Sequence, residues 1–121
     1  MNTIIVAILS IALSVAAQFS LKAGMSGAAV REALRQPFSS QVVFSVLTDK
    51  FVLGGFLLYG LGALVWLAVL SKWDVSKAYP LVGLGFVFTV GLGVVAGEQV
   101  TLVRALGVAL IAAGVFVVSQ S

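Results

Sequence analysis

Glu32, Asp49, Asp74 and Glu98 are the four acids in the 121-residue chain, which has neither His nor Cys. The chain thus lacks the imidazole acid/base, the thiol nucleophile, the disulfide and the usual transition-metal ligands. No two carboxylates lie close enough in sequence to suggest a general acid and base working as a pair. An enzyme is not expected, and neither is a metal centre or a cofactor. The polar residues that do form a pattern are Ser10, Ser14, Gln18 and Lys22, at a constant spacing of four. Steps of four drift only about 40° around a helix, so these groups share one face that ends in a cation. Such a face is either a hydrogen-bonded seam between helices or the polar wall of a substrate path with a cation at its mouth. Tyr59, Gly62, Ala63 and Trp66 form a second group, an aromatic pair flanked by small residues that either packs or makes a slot for a ligand. Glu98 follows Gly97 at the end of an apolar run, where a carboxylate opposes the helix dipole. It is either solvated there or held by a cation, and Arg104 is the nearest in sequence.

The elements that position these residues follow from composition. The chain is 61% hydrophobic and 9% charged, with a mean hydropathy of +1.20, whereas a soluble domain carries about 25% charged residues. The net charge is only +3, and the scattered cations form no stripe that could track a nucleic acid. A helix needs roughly 20 apolar residues to cross a bilayer. Four stretches meet that length, at about 3–22, 51–71, 78–97 and 100–118. Long segments without alternation are helices rather than barrel strands, so one all-α transmembrane domain over residues 1–121 is expected. The first run has no Lys or Arg before Lys22; although Val15-Ala16-Ala17 resembles a cleavage site, it reads as a retained span.

The short connections after the second and third spans imply antiparallel neighbours. The long connection 23–50 contains a short amphipathic segment, Ala28 to Gln36, stopped by Pro37, which reads as an interfacial helix or a mobile loop. Lys22, Arg31, Arg35, Lys50 and Arg104 lie on one side and Lys72 and Lys77 on the other. The positive-inside rule then places both termini outside, on a bias weak enough to leave insertion in both orientations open. Trp73 reads as an interface anchor, and Pro80 is expected in the first turn of span three. Gly85, Gly93 and Gly97 share a face of span three with Thr89. Gly107 and Gly114 form a similar face on span four. Small residues let helices approach closely in lipid, so these glycines are the expected dimer interface.

Several of these features coincide in one known group. The run from Leu13 to Lys22 (LSVAAQFSLK), Lys77-Ala78-Tyr79-Pro80, Gly97-Glu98 and the run from Leu106 to Val115 (LGVALIAAGV) together resemble the drug/metabolite transporter superfamily. The similarity covers nearly the whole chain outside 23–50. It implies a bundle like that of the small multidrug resistance exporters. Those exporters carry a glutamate in the first span, and alignment on Leu21-Lys22 puts Ser14 at that position, which argues against proton-coupled drug export. Ser14-Val15-Ala16-Ala17-Gln18, Lys22 and Ala78-Tyr79-Pro80 are closer to small subunits resembling the flippase for undecaprenyl-phosphate aminoarabinose.

The resemblance implies flipping of a polyprenyl-phosphate sugar across the bacterial inner membrane by a homodimer, or by a heterodimer with a similar small subunit. Lys22 would meet the phosphate, with Gln18 and Ser14 toward the sugar. Tyr59, Trp66, Tyr79, Glu98 and Arg104 are the further candidate contacts. A small-molecule or multidrug exporter and a non-transporting accessory subunit are the alternatives.

Overall fold

A computed structural model describes residues 2–121. Its elements are α1 (Thr3–Met25), α2 (Ala28–Leu34), α3 (Ser40–Leu47), α4 (Lys50–Leu70), α5 (Val75–Ala78), a 3-10 turn (Tyr79–Val82), α6 (Gly83–Val95) and α7 (Leu102–Ser119). There is no strand among the described residues. Four helical stretches are long and apolar enough to cross a membrane: α1, α4, the run Val75–Val95 and α7. The expected four spans are present, and their ends are set by local chemistry. Asn2, Asp49 and Thr101 accept backbone hydrogen bonds at the starts of α1, α4 and α7, which supplies partners to the free N–H groups of a first helical turn.

Two local features depart from the sequence reading, and a third adds to it. The third span begins at Val75, ahead of Lys77. Pro80 is therefore not in the first turn but inside the span. Its missing N–H cannot reach the carbonyl of Ser76, and the backbone tightens there into the 3-10 turn. The connection holds a second helix, α3, capped by the Ser39 hydroxyl; α2 and α3 pack on each other and on the adjoining ends of α1 and α4. Trp73 is half-buried against the core just past the end of α4, with the Lys77 ammonium 4.6 Å above its ring.

Packing is uneven. The dominant contact is between α1 and α4, whereas α6 touches both α1 and α7. Glycine brings α1 and α4 close: a Cβ on Gly55 would lie 2.7 Å from the Leu21 side chain, and one on Gly24 2.6 Å from Asp49 Oδ1. Two hydroxyls on α1 donate to carbonyls on α4, Ser10 to Gly62 at 2.7 Å and Ser20 to Phe51 at 2.6 Å. Ile11, Val15, Val69, Leu81 and Val115 join the helices in a small core with Ala7 and Ala78.

Candidate functional site: a mid-span cleft

A cleft of about 310 Å³ opens between α1, α4 and the stretch from Tyr79 to Thr89. From α1 come Ser10, Ile11, Ser14, Val15 and Gln18; Tyr59, Gly62, Ala63 and Trp66 come from α4; and Tyr79, Val82, Gly85, Phe86 and Thr89 form the third wall. Ser14 is the twelfth of the 23 residues of α1, and Tyr59 the tenth of the 21 of α4. The cleft therefore sits at mid-span. No lining residue comes from α7, so the fourth span leaves one side uncovered.

The polar face of α1 divides between two tasks. The buried Ser10 hydroxyl is committed to the Gly62 carbonyl, which is the seam role. The Ser14 hydroxyl makes no hydrogen bond among the described residues and, with Gln18, faces the cleft. Gln18 donates its amide to the Tyr59 hydroxyl, so α1 and α4 share a polar end. Thr89 adds a hydroxyl from α6. Trp66, Tyr79 and Phe86 add aromatic rings to the lining. Thr89 stands out in the sequence only as one member of a small-residue stripe. Its partner wall becomes visible when α6 is laid against α1, with the Gly85 Cβ position 3.3 Å from Ile11.

Among the described residues no charged side chain lines the cleft. The wall offers hydroxyl, amide and aromatic groups, which suit a hydroxylated ring. Lys22 lies one helical turn past Gln18, exposed and without an ion pair; the one ion pair among the described residues is Arg35–Glu32. Glu98 is not held by Arg104, whose guanidinium donates instead to the Gln99 carbonyl at 3.0 Å. Arg104 stands on α7, away from the cleft. The structure thus gathers Ser14, Gln18, Tyr59, Trp66 and Tyr79 around one space, and leaves Lys22, Glu98 and Arg104 outside its wall.

The glycines also separate. Gly85 meets α1 within the chain, and Gly93 lies beneath the Glu98 carboxylate, 3.0 Å from the Cβ position. Gly97, at φ +92, turns the chain at the end of α6, where the Glu98 N–H reaches the Gly93 carbonyl at 2.8 Å and the Gly97 N–H that of Val94 at 3.1 Å. This pair of bonds needs a left-handed residue, which glycine adopts at least cost. Contacts inside the chain thus account for these three glycines. Gly107 and Gly114 have open space at the Cβ position.

No protein-family model matches the chain. No solved structure matches it. Curated relatives do. The chain is 32% identical over 118 residues to the probable 4-amino-4-deoxy-L-arabinose-phosphoundecaprenol flippase subunit ArnF of Proteus mirabilis, covering 94% of this chain and 89% of that one. It is 52% identical over 58 residues to the corresponding ArnE subunit of Pseudomonas savastanoi pv. phaseolicola, 47% of this chain and 51% of the relative. For ArnE of Erwinia tasmaniensis the identity is 44% over 68 residues, 55% of this chain and 63% of the relative. The chain therefore spans about half to just under two thirds of these ArnE relatives, and most of the ArnF relative.

Proposed function

The chain belongs to the family of 4-amino-4-deoxy-L-arabinose-phosphoundecaprenol flippase subunits, and from that premise we propose that it moves a polyprenyl-phosphate-linked amino sugar across the bacterial inner membrane. It is a multi-pass protein of that membrane. The likeness running through 94% of the chain carries the reading, and the cleft supports it. A sugar entering the membrane has to exchange its water for other hydrogen-bonding partners, since a buried unpaired hydroxyl costs several kcal/mol, on the order of 2–7. Ser14, Gln18, Tyr59 and Thr89 offer such partners at mid-span, and the aromatic faces of Trp66 and Tyr79 give a ring something to stack on. The uncovered side lets the prenyl tail stay in lipid while the head group crosses.

The relatives are named as subunits of a transporter, and one span of this chain, α7, packs only lightly within it. Val115 is the one buried residue of the 18 in α7. We assign the open face of α7, with Gly107 and Gly114, to a second copy or a similar small subunit.

The test is reconstitution in liposomes loaded with a short-chain polyprenyl-phosphate aminoarabinose, alone and with a similar subunit. Flipping brings the sugar amine within reach of a membrane-impermeant amine reagent. Protein-dependent labelling, together with thermal stabilisation by this lipid and not by quaternary ammonium drugs, is the expected result. Stabilisation by the drugs alone would reverse the assignment in favour of an exporter.

A further inference from the structure

Two groups of opposite charge stand just outside the neutral cleft, and both lie on its side of their helices. At about 100° per residue, Lys22 falls between Ile11 and Val15 around the axis of α1, inside the arc of the lining residues. On α6, Gly93 falls between Thr89 and Phe86, which both line the cleft. Gly93 has no side chain of its own, and Glu98 occupies its place. The turn at Gly97 folds the chain back, and the Glu98 Oε1 atom comes to 3.0 Å from the Gly93 Cβ position. A carboxylate is thereby seated on the cleft face of α6, one turn past Thr89. Lys22 sits one turn past Gln18 on α1. Because α1 and α6 run in the same direction across the membrane, both charges mark the same mouth.

Neither charge is neutralised within the chain. Lys22 and Glu98 form no ion pair among the described residues, and Arg104 is turned to Gln99. Glu98 also sits where a carboxylate is least welcome, at the negative end of the α6 dipole. Both the carboxylate and the helix end favour a cation, and the carboxylate favours one with several N–H donors. A primary ammonium provides three such donors. No group of three potential metal ligands occurs among the described residues, so the seat fits an organic cation better than a divalent metal ion.

We propose that this mouth selects a zwitterionic head group: Lys22 meets the lipid phosphate, and Glu98, seated on Gly93, meets the ammonium on the far side of the sugar ring. The inference rests on the flippase reading and adds to it a specificity-determining residue. Glu98 is what distinguishes an amino sugar from its hydroxyl counterpart. The uncharged cleft beyond the mouth, which offers only neutral hydrogen-bonding groups, makes no such distinction.

The experiment measures binding to the full-length protein in lipid nanodiscs. Three short-chain polyprenyl-phosphate sugars serve as probes: the 4-amino sugar, its N-acetyl derivative and the 4-hydroxy analogue. The wild type is expected to favour the free amine over both others by about tenfold, the worth of one hydrogen bond between charged groups. The Glu98→Gln change should remove that preference, so that the three lipids bind with similar affinity. Gly93→Ala, which crowds the carboxylate without altering any charge, should reduce the preference in part. Lys22→Gln should weaken all three lipids alike. Equal binding of the three lipids by the wild type overturns the inference and leaves the flippase reading standing, as does a preference that survives Glu98→Gln. Failure of the wild type to bind any of them removes the flippase reading, and this inference with it. The N-acetyl comparison needs no variant, so a misfolded substitution cannot obscure the outcome.

Discussion

The α1–α4 pair and α7 are made of similar residues and are treated in opposite ways by the fold. Along α1 the neighbouring helix comes close enough for glycine Cβ positions to fall inside van der Waals contact and for two hydroxyls to bond across. Along α7 only Val115 is buried, and Leu102, Leu110 and Phe116 are exposed. In lipid, apolar surface gains nothing by leaving its surroundings, so a helix pair holds only where backbones approach and polar groups meet. The first pair has both features inside the chain. α7 has Gly107 and Gly114 with nothing within 4 Å of their Cβ positions, the face proposed above for a second subunit.

The sharpest way to break this contrast is to treat the two regions alike. Gly55→Leu adds a side chain where Leu21 and the Ala17 carbonyl already stand, at 2.7 and 3.1 Å from the Cβ position. Overpacking of this kind costs about 1–3 kcal/mol or more, and a clear fall in detergent melting temperature is expected. Gly114→Leu meets nothing within 4 Å in the chain. Protomer stability should stay within about 0.5 kcal/mol of wild type, while oligomer size in bilayers drops. If the Gly114→Leu oligomer is unchanged, α7 is not the assembly face.

Smaller effects refine the picture. Ser10→Ala deletes the buried bond to Gly62 and should lower stability by about 0.6 kcal/mol, the mean worth of such bonds in membranes. Gly60, on the same helix as Gly55, has open space at its Cβ position. Gly60→Ala should cost nothing and can add up to about 1 kcal/mol through helix propensity. Equal losses for Gly55→Ala and Gly60→Ala in thermal melts would show that helix propensity, not close approach, governs this span.

These pairs of glycines also show where the sequence was legible. The four spans stand out because long uncharged runs have one explanation in a chain of this length. The cleft wall at Ser14 and Gln18 was visible because polar groups four apart must share a face. The distribution of the glycines was not readable. Lipid and protein interior are both apolar, so a span carries no contrast that says which of Gly85, Gly93, Gly107 and Gly114 looks inward. Ser10 and Ser14 are alike for the same reason: one is spent on a carbonyl and the other is free, and only the approach of α4 decides between them. In the connection, α3 is hard to see because eight residues are too few to make a stable helix on their own and none of them is charged; the signal that could have found it is Ser39 as an N-cap. Pro80 was read as the opening of a helix because Asp74, a nominal cap whose side chain makes no hydrogen bond there, gives the earlier start no clear mark.

The absence of charge from the cleft wall has an electrical consequence. A unit charge moved through 100 mV exchanges about 2.3 kcal/mol with the membrane field, so a charged wall that changed its facing would make every cycle sensitive to voltage. The wall here holds only neutral groups. A phosphodiester carrying one ammonium has no net charge of its own. For such cargo the crossing transfers no current, and the rate of flipping should be the same whether the vesicle is polarised, depolarised or reversed in sign.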